Sequence, residues 1–494
     1  MAVVGAGIAG LAAAFRLREE MRAADVAGEI VIYEAADVCG GWTRTERVDG
    51  FSLDHGPNGW LSNEPLTARL IGELGLTGEL VRSNDAAAHR FIYTRGRLHE
   101  LPSSPGRFLA SRLLRPQEKL RVLGEFFTRR RADDDDESIY AFGCRRLGRG
   151  FAETMLDPMV SGIFAGNVRE LSLPATFPKM RSMELEHGGL FKALIAKRRE
   201  KKRSAPEGGG PAGPSGVLTT LSGGVGRFTE VLAETLAPHV RKERRVIGLT
   251  RDGDGFELWC DGAKERFGAV VLAVPAHAAA EIVRDFVPEA SAALDGIDFA
   301  NTAVVCHIYD ADRLHMKLNG FGHLIPRRDG IRALGCLWTS CIFPSQVPGG
   351  ELLLRTILGG AHDAGVLDLS DDELIGTAMN DTAATLGIRE KPGRTWVFRH
   401  PRGIAQYTLG HRGRVEAVDK LCNEVPGLAF VGASYRGVSL NRCVRDAYTV
   451  APRVLERFGV HVPPIPDDAD APLNEPRPGE QNRDRKEAAT EPQP

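Results

Sequence analysis

The chain has 494 residues, enough for two or three domains or one large two-lobed enzyme, and 43% of them are hydrophobic. A formal net charge of −2 leaves no basic excess to neutralise phosphates, so no nucleic-acid partner is expected. No apolar run is long enough for a membrane-spanning helix. The eight cysteines, scattered without CxxC pairs, predict reduced thiols and no metal site.

The chain opens "MAVVGAGIAG", and its first predicted strand, 2–4, starts almost at Met1. That start leaves no room for a secretory leader and predicts a cytoplasmic protein. The spacing Gly5-x-Gly7-x-x-Gly10 follows, then an alanine- and leucine-rich helix around 11–17. Strand, glycine turn and helix in that order form the context a dinucleotide fingerprint needs. Gly5 permits the turn, Gly7 lets backbone approach a pyrophosphate, and Gly10 allows close packing of helix on strand. The helix start adds unpaired N–H groups and a positive partial charge. The next strand, in "EIVIYEAADV", reaches Glu34, the acidic residue expected about 20 residues past the fingerprint to take ribose hydroxyls.

Two further segments read as parts of the same nucleotide-binding unit. The first, 216–280, holds a glycine turn and helix ("TLSGGVGRFTEVLAETL"), two alternating strands joined by an Asp-Gly turn, and the β-branched run "AVVLAVP" of a buried parallel strand. The second, 406–458, runs from a strand at 428–431 into Gly432, and Gly437 precedes an amphipathic helix. With 1–85 these make one interrupted domain. The first insertion, 86–215, reads as mainly helical. It carries "RFLASRLLRPQEKLRVLGEFFTRRR" at 107–131, whose arginines and apolar residues alternate as in an interfacial helix or a surface helix on a protein core. The charged run "RRRADDDDE" reads as a solvated loop, and "REKKRSAPEGGGPAGPSG" as a mobile one. The second insertion, 281–405, mixes strands with a helix opened by the Ser370/Glu373 capping box. Residues 459–494, rich in Pro, Asp and Glu from about 462, form a disordered tail.

Six blocks carry a more specific signal: "GGWTRT" (40–45), "HGPNGW" (55–60), "HRFIYTRGRLHELPSSP" (89–105), "SGIFAGNVRELSLPATFP" (161–178), "GFGHLIP" (320–326) and "GASYRGVSLNRC" (432–443). In this order they make the chain resemble the protoporphyrinogen oxidases, FAD enzymes of the amine oxidase superfamily that act late in haem biosynthesis. The resemblance covers nearly all of 1–458. It implies an α/β fold in which a Rossmann-like FAD domain is interrupted by a mixed α+β substrate domain and a helical, membrane-facing domain.

The resemblance places FAD on Gly5, Ala6, Gly7, Ile8, Ala9 and Gly10 at the pyrophosphate and on Glu34 and Ala35 at the adenosine ribose. Trp42, Gly56, Pro57, Asn58 and Gly59 come nearer the flavin ring, and Val246 at the adenine end. Ala433, Val438, Ser439 and Leu440 meet the ribityl and flavin region, where a helix start would stabilise reduced flavin. Many superfamily members have arginine where Trp42 stands; tryptophan is similar to the animal-type branch. For the substrate, Arg90 would grip a propionate with a guanidinium charged at any working pH. Leu324 and Phe343 would sandwich pyrrole rings, and Gly162 and Gly166 would bring backbone beside the macrocycle.

The implied reaction is six-electron oxidation of protoporphyrinogen IX, in three turns of the flavin, with dioxygen as acceptor and hydrogen peroxide as product. No paired carboxylates and no Asp/His or Cys/His set stand out, so no catalytic base is named. His55 reads as a structural residue of its turn. A coproporphyrinogen III oxidase of the same fold is the nearest alternative, followed by a flavin amine oxidase, which needs an aromatic cage and usually a lysine beside the flavin. A peripheral seat on the inner face of a membrane and a homodimer both stay open.

Overall fold

The computed structural model describes residues 1–131, 133, 135–201, 216–314 and 317–462. The expected mobile loop falls largely, and the expected tail mostly, outside the described residues. Ala2–Val4 pairs in parallel with Val31–Tyr33 on one side and Val270–Leu272 on the other. Val240–Arg241 and Leu428–Phe430 complete a five-stranded parallel sheet at its two edges. Its four longer strands are buried along their whole length, because both faces are covered. Val3, Ile32, Val271 and Ala429 face helices Ile8–Ala23, Gly226–Thr235 and Leu440–Glu456. Ala2, Val31, Val270 and Leu428 face the antiparallel strands Val246–Asp252 and Gly255–Cys260, which Ala263–Phe267 extends to three. The sheet thus draws on all three segments read as one nucleotide domain.

The second sheet has seven strands in the order Arg394–Ala405, Phe299–Asp310, Glu351–Gly359, Gly335–Trp338, Gly322–Leu324, Arg90–Thr94 and Arg97–Glu100. Two of these, 90–94 and 97–100, come from the segment read as mainly helical. The parallel pairing of Gly322–Leu324 with Arg90–Thr94 brings them in. One face of the sheet is covered by helix Asp371–Leu386, which begins at the expected Ser370/Glu373 capping box and ends at Gly387 in the left-handed region. The other face packs Val304, Cys306, Leu353 and Phe398 on Phe51 and Leu53 of the hairpin Thr45–Val48/Phe51–Asp54. Helices Ala276–Val283 and Pro288–Asp295 instead join the core of the nucleotide domain.

The stretch 107–131 is not one helix. It breaks into Pro105–Ala110, Pro116–Leu123 and a 3₁₀ turn Gly124–Phe127, and the proline at 116 accounts for the restart. Leu113, Leu114 and Val122 pack inward, whereas Leu120 and Phe127 stay 69% and 84% exposed. The charged run is not solvated throughout. Its last member, Glu137, is buried and takes Arg145 Nε and Nη2 at 3.0 and 2.8 Å. Arg145 also meets Glu184, and the fully buried Arg146 pairs with Glu125 and Glu184. Burial is the largest single influence on Glu184 and opposes its ionisation, but the hydrogen bonds from Arg145 and the Arg131 N–H and the charges of Arg145 and Arg146 together outweigh it and hold the carboxyl below its usual pKa. Glu125 accepts the N–H groups of Leu190 and Phe191 as well, at 2.8 and 3.2 Å, and so anchors the start of helix Leu190–Lys201. Among the described residues no helix is long and apolar enough to cross a membrane.

Glu125→Ala should leave the buried Arg146 with only Glu184, which it shares with Arg145, and strip the Leu190 and Phe191 N–H groups of their acceptor, at a cost of about 3–5 kcal/mol. A lowered urea midpoint for the helical lobe checks this, and an unchanged midpoint contradicts it.

Candidate functional site

The opening turn has the shape its glycines predict. Gly5 lies at φ +101°, and a Cβ on Gly10 would come within 1.9 Å of the Gly5 carbonyl oxygen, so helix and strand can touch only without one. A Cβ on Gly7 would meet nothing within 4 Å, which leaves open space at the helix start. Helix Ile8–Ala23 begins there with no side-chain cap and no acidic residue in its first turn, so among the described residues no side chain occupies its first N–H groups. Ile8 and Ala9 are buried against the sheet.

Glu34 stands beside this turn. Its two carboxylate oxygens accept the N–H groups of Ala6 and Ala36 at 2.8 and 2.9 Å, which holds the carboxylate in place with lone pairs to spare. Ala35 is exposed. Glu243 N–H donates to Ala36 O and Arg244 N–H to Glu34 O, at 3.0 and 2.8 Å. Those bonds bring Val246, itself buried, to the same end of the sheet. From the third segment, Gly432 turns at φ +117°, and a Cβ on it would lie 3.5 Å from that of Ala9. Ala433 is exposed, Val438 half-buried and Leu440 buried. Ser439 caps helix Leu440–Glu456 by accepting Arg442 N–H at 3.3 Å. Tyr407 was missed by the sequence reading. Its hydroxyl accepts Gly437 N–H and donates to Ala433 O, both at 2.7 Å, and so holds this loop closed. Two helix starts, open space over Gly7 and a fixed carboxylate form a donor and acceptor set that suits a dinucleotide.

The turn 55–59 lies between the two sheets. A Cβ on Gly56 would meet Trp42 O at 2.6 Å and one on Gly59 would meet Thr219 O at 2.4 Å, so both positions need glycine. Pro57 and Asn58 are half-buried, and Asn58 Nδ2 finds no partner among the described residues. Trp42, 37% exposed, meets His400 edge-on at 4.8 Å. The His55 ring stacks on Phe398 at 4.1 Å, which fits a structural role. Burial, reinforced by Arg44 and Arg355, pushes His55 down to about 4, and burial does the same to His400.

Beyond this turn the sheet face is apolar and glycine-rich. Pairing aligns Arg90 with Gly322 and Ile92 with Leu324, so Arg90 and Leu324 lie on one face. Leu337 and Ile357 continue it on the neighbouring strands. Helix Asp157–Phe164 covers this face so closely that a Cβ on Gly162 would lie 2.6 Å from Leu324 Cδ2. Arg90 is exposed, rests its guanidinium 5.1 Å from the Phe321 ring centre, and has no carboxylate partner among the described residues. Two expectations shift. Phe343 is 0% exposed, enclosed with Ala87 and Ile342, so its ring supports the wall rather than forming its surface. Gly166 makes room for neighbours: a Cβ there would strike Gln406 Oε1 and Leu171 Cδ1, both at 2.7 Å. Ile357, which touches both the hairpin cluster and the cluster of Ala165, Ala300 and Leu334, was not singled out. The run "ELLLRTILGG" marks a strand but does not alternate, and only the register with Gly335–Trp338 and Phe299–Asp310 shows which face Ile357 takes.

A family model described as flavin containing amine oxidoreductase matches residues 8–455. The chain is 32% identical over 491 residues to protoporphyrinogen oxidase from Bos taurus, covering 92% of this chain and 98% of the bovine one. It is 29% identical over 456 residues to coproporphyrinogen III oxidase from Bacillus subtilis (strain 168), covering 90% and 95%. A crystal structure from Exiguobacterium sp. 255-15, provisionally assigned as a protoporphyrinogen oxidase, superposes with a TM-score of 0.78 at 27% identity, covering 91% of this chain and 97% of that one.

His55, His307, His400 and His411 are pushed down to about 4 and His323 to about 3, burial being the first cause in each. A folded-state value below the unfolded one means that only the unfolded chain takes up these protons between the two. The histidine contribution to stability should therefore be complete above about pH 6.5 and fall as the pH drops towards about 4. Ring nitrogen NMR showing these imidazoles neutral at pH 5.5 is the expected result; protonated rings there would contradict it. Gly10→Val should destroy the opening turn, read as loss of bound cofactor from the purified protein.

Proposed function

The chain belongs to the flavin-containing amine oxidoreductases and, within them, to the porphyrinogen oxidases, and from that premise we propose that it oxidises protoporphyrinogen IX to protoporphyrin IX in haem biosynthesis. Its cofactor is FAD, and it is an oxidoreductase. The single observation that carries the substrate reading is Arg90, without a carboxylate partner among the described residues, on the same sheet face as the half-buried Leu324, Leu337 and Ile357. A flat, greasy macrocycle with acidic side arms is the ligand such a surface suits.

In this reading the FAD pyrophosphate rests on Gly5–Gly10, its ribose hydroxyls donate to Glu34, and backbone near Val246 meets the adenine. Trp42, the 56–59 turn, Ala433 and Val438–Leu440 line the remainder. When bound, FAD supplies the hydride acceptor and passes electrons to dioxygen, giving one hydrogen peroxide for each of three turns. Arg90 grips a propionate with charge-assisted hydrogen bonds. Leu324, Leu337 and Ile357, with the Gly162 backbone packed beside Leu324, form the apolar surface on which the macrocycle lies. Together they hold one meso carbon against the flavin and keep water out. Aromatisation drives the reaction and the pyrrole nitrogens release their own protons, so no side chain is assigned as base.

Coproporphyrinogen III is the second reading, favoured by the similarity to the Bacillus enzyme. It carries two more carboxylates, which call for further unpaired cations, and among the described residues Arg90 is the one identified on that face. The exposed Leu120, Leu123, Phe126 and Phe127, with arginines at 121, 129 and 130 nearby, support a peripheral seat on a membrane.

Anaerobic mixing with each porphyrinogen tests the substrate. Bleaching of the flavin by protoporphyrinogen IX at least as fast as by coproporphyrinogen III is expected, and a preference for the second overturns the assignment. Arg90→Ala should keep its FAD and raise the half-saturating substrate concentration roughly ten- to a hundredfold, the loss of one hydrogen bond to a charged group. Loss of FAD in that variant would refute the role of Arg90.

A further inference from the structure

Three successive backbone carbonyls, those of Asp54, His55 and Gly56, are all taken by side chains from the large sheet. Arg355 Nη2 donates to Asp54 O at 2.6 Å and to Gly56 O at 2.9 Å. His400 Nε2 donates to His55 O at 2.9 Å. Both donors are buried, at 2% and 5% exposure, and they stand on the strands that flank Phe299–Asp310 on either side. They project from the same sheet face as Ile357, which register assigns to the substrate cleft. Arg355 also brings a full positive charge. The Asp54 carboxylate makes its hydrogen bonds with Thr45 Oγ1, Val225 N–H and Gln346 Nε2 at 2.6, 3.0 and 3.4 Å and none with Arg355, and burial pushes it above its usual pKa against the opposing charge of Arg355. The guanidinium Nε and Nη1 find no hydrogen-bond acceptor among the described residues. The charge is therefore incompletely neutralised in a medium that screens it poorly.

We propose that Arg355 and His400 are positioning residues that clamp the 54–56 backbone to the substrate sheet, and that the Arg355 charge raises the reduction potential of the flavin. The geometry does two things at once. It fixes the 56–59 turn relative to the strand carrying Ile357, so that cofactor and cleft cannot drift apart. It also sets a buried cation behind that turn, where negative charge on the reduced flavin is stabilised. The inference rests on the reading that the 56–59 turn meets the flavin, and is independent of which porphyrinogen is oxidised.

The test is a set of holoenzyme variants read by FAD midpoint potential, visible circular dichroism of the bound flavin and the split of kcat from KM. Arg355→Met should retain FAD, change the flavin dichroism and lower the potential. A tenfold loss of preference for the reduced form reads as about 30 mV for two electrons. In this variant kcat should fall while KM moves less than twofold. Arg355→Lys should restore most of the potential, because it restores the charge, but not the dichroism, because it cannot bridge both carbonyls. His400→Gln keeps a donor for His55 O and should resemble the parent, whereas His400→Leu should change the dichroism with little change in potential. Native potential and dichroism in Arg355→Met would overturn the proposal, as would a potential in Arg355→Lys as low as in Arg355→Met. Should Arg355→Met fail to fold, Arg355→Lys decides alone: altered dichroism at near-native potential supports the clamp, and unaltered dichroism removes it. Asn58→Ala separates the two readings. Dichroism moved by Asn58→Ala but not by Arg355→Met removes the clamp and leaves the turn beside the flavin; moved by neither, it removes the turn from the flavin.

Discussion

The structure depends on one short strand being parallel to two others. Val270–Leu272 lies between Ala2–Val4 and Leu428–Phe430, each paired with it over three residues. That register gathers the ends of strands more than 400 residues apart at one edge of a single sheet. There Gly5 turns against Ala273, whose N–H is held by Val4 O, and Gly432 turns against Ala9. Ligands of open parallel sheets bind beyond the strand ends because helix starts collect there. Everything proposed about FAD presupposes this convergence. A bulky residue at any of these crossings would separate the helix starts before it affected chemistry.

The second constraint is how the two sheets are joined. The hairpin Thr45–Val48/Phe51–Asp54 leaves the nucleotide domain and buries Phe51 and Leu53 in the face of the large sheet, so an apolar contact carries the junction. Polar contacts then set its orientation: the Arg355 and His400 bonds on one side, and Tyr407 holding Ala433 and Gly437 on the other. The backbone of Tyr407 also accepts Ser172 N–H at 2.8 Å, which ties the loop after the cleft helix to the loop before the last helix. The loop 433–437 and the loop after helix Asp157–Phe164 therefore share a support in Tyr407. On the proposed function, a buried hydrogen bond lost at either junction would change the relation between cofactor and substrate and not only local stability.

Much of the geometry around the opening turn was legible in the sequence because its determinants are local. A glycine spacing, the acid at the end of the second strand and the turn before the last helix each declare themselves within a few residues. The Ser370/Glu373 cap and the helix it opens were legible for the same reason. The substrate side depends on register between distant strands, and there local signals fail. Strands 90–94 and 97–100 joined the large sheet through a parallel pairing that no short pattern reveals. Phe343 and Gly166 sit in motifs of the right composition, but neighbours far along the chain decide that one supports a wall and the other makes room for Gln406. Arg355 and His400 look like ordinary strand residues until their partners at 54–56 are known.

A crystal structure of the holoenzyme tests the central claim most directly. The account predicts the FAD pyrophosphate at the start of helix Ile8–Ala23 and ribose hydroxyls on Glu34. It further predicts an isoalloxazine ring that reaches the 56–59 turn and Val438 with one face open to Leu324 and Ile357. An isoalloxazine ring turned away from that cleft, or a pyrophosphate bound elsewhere than Gly5–Gly10, would contradict it.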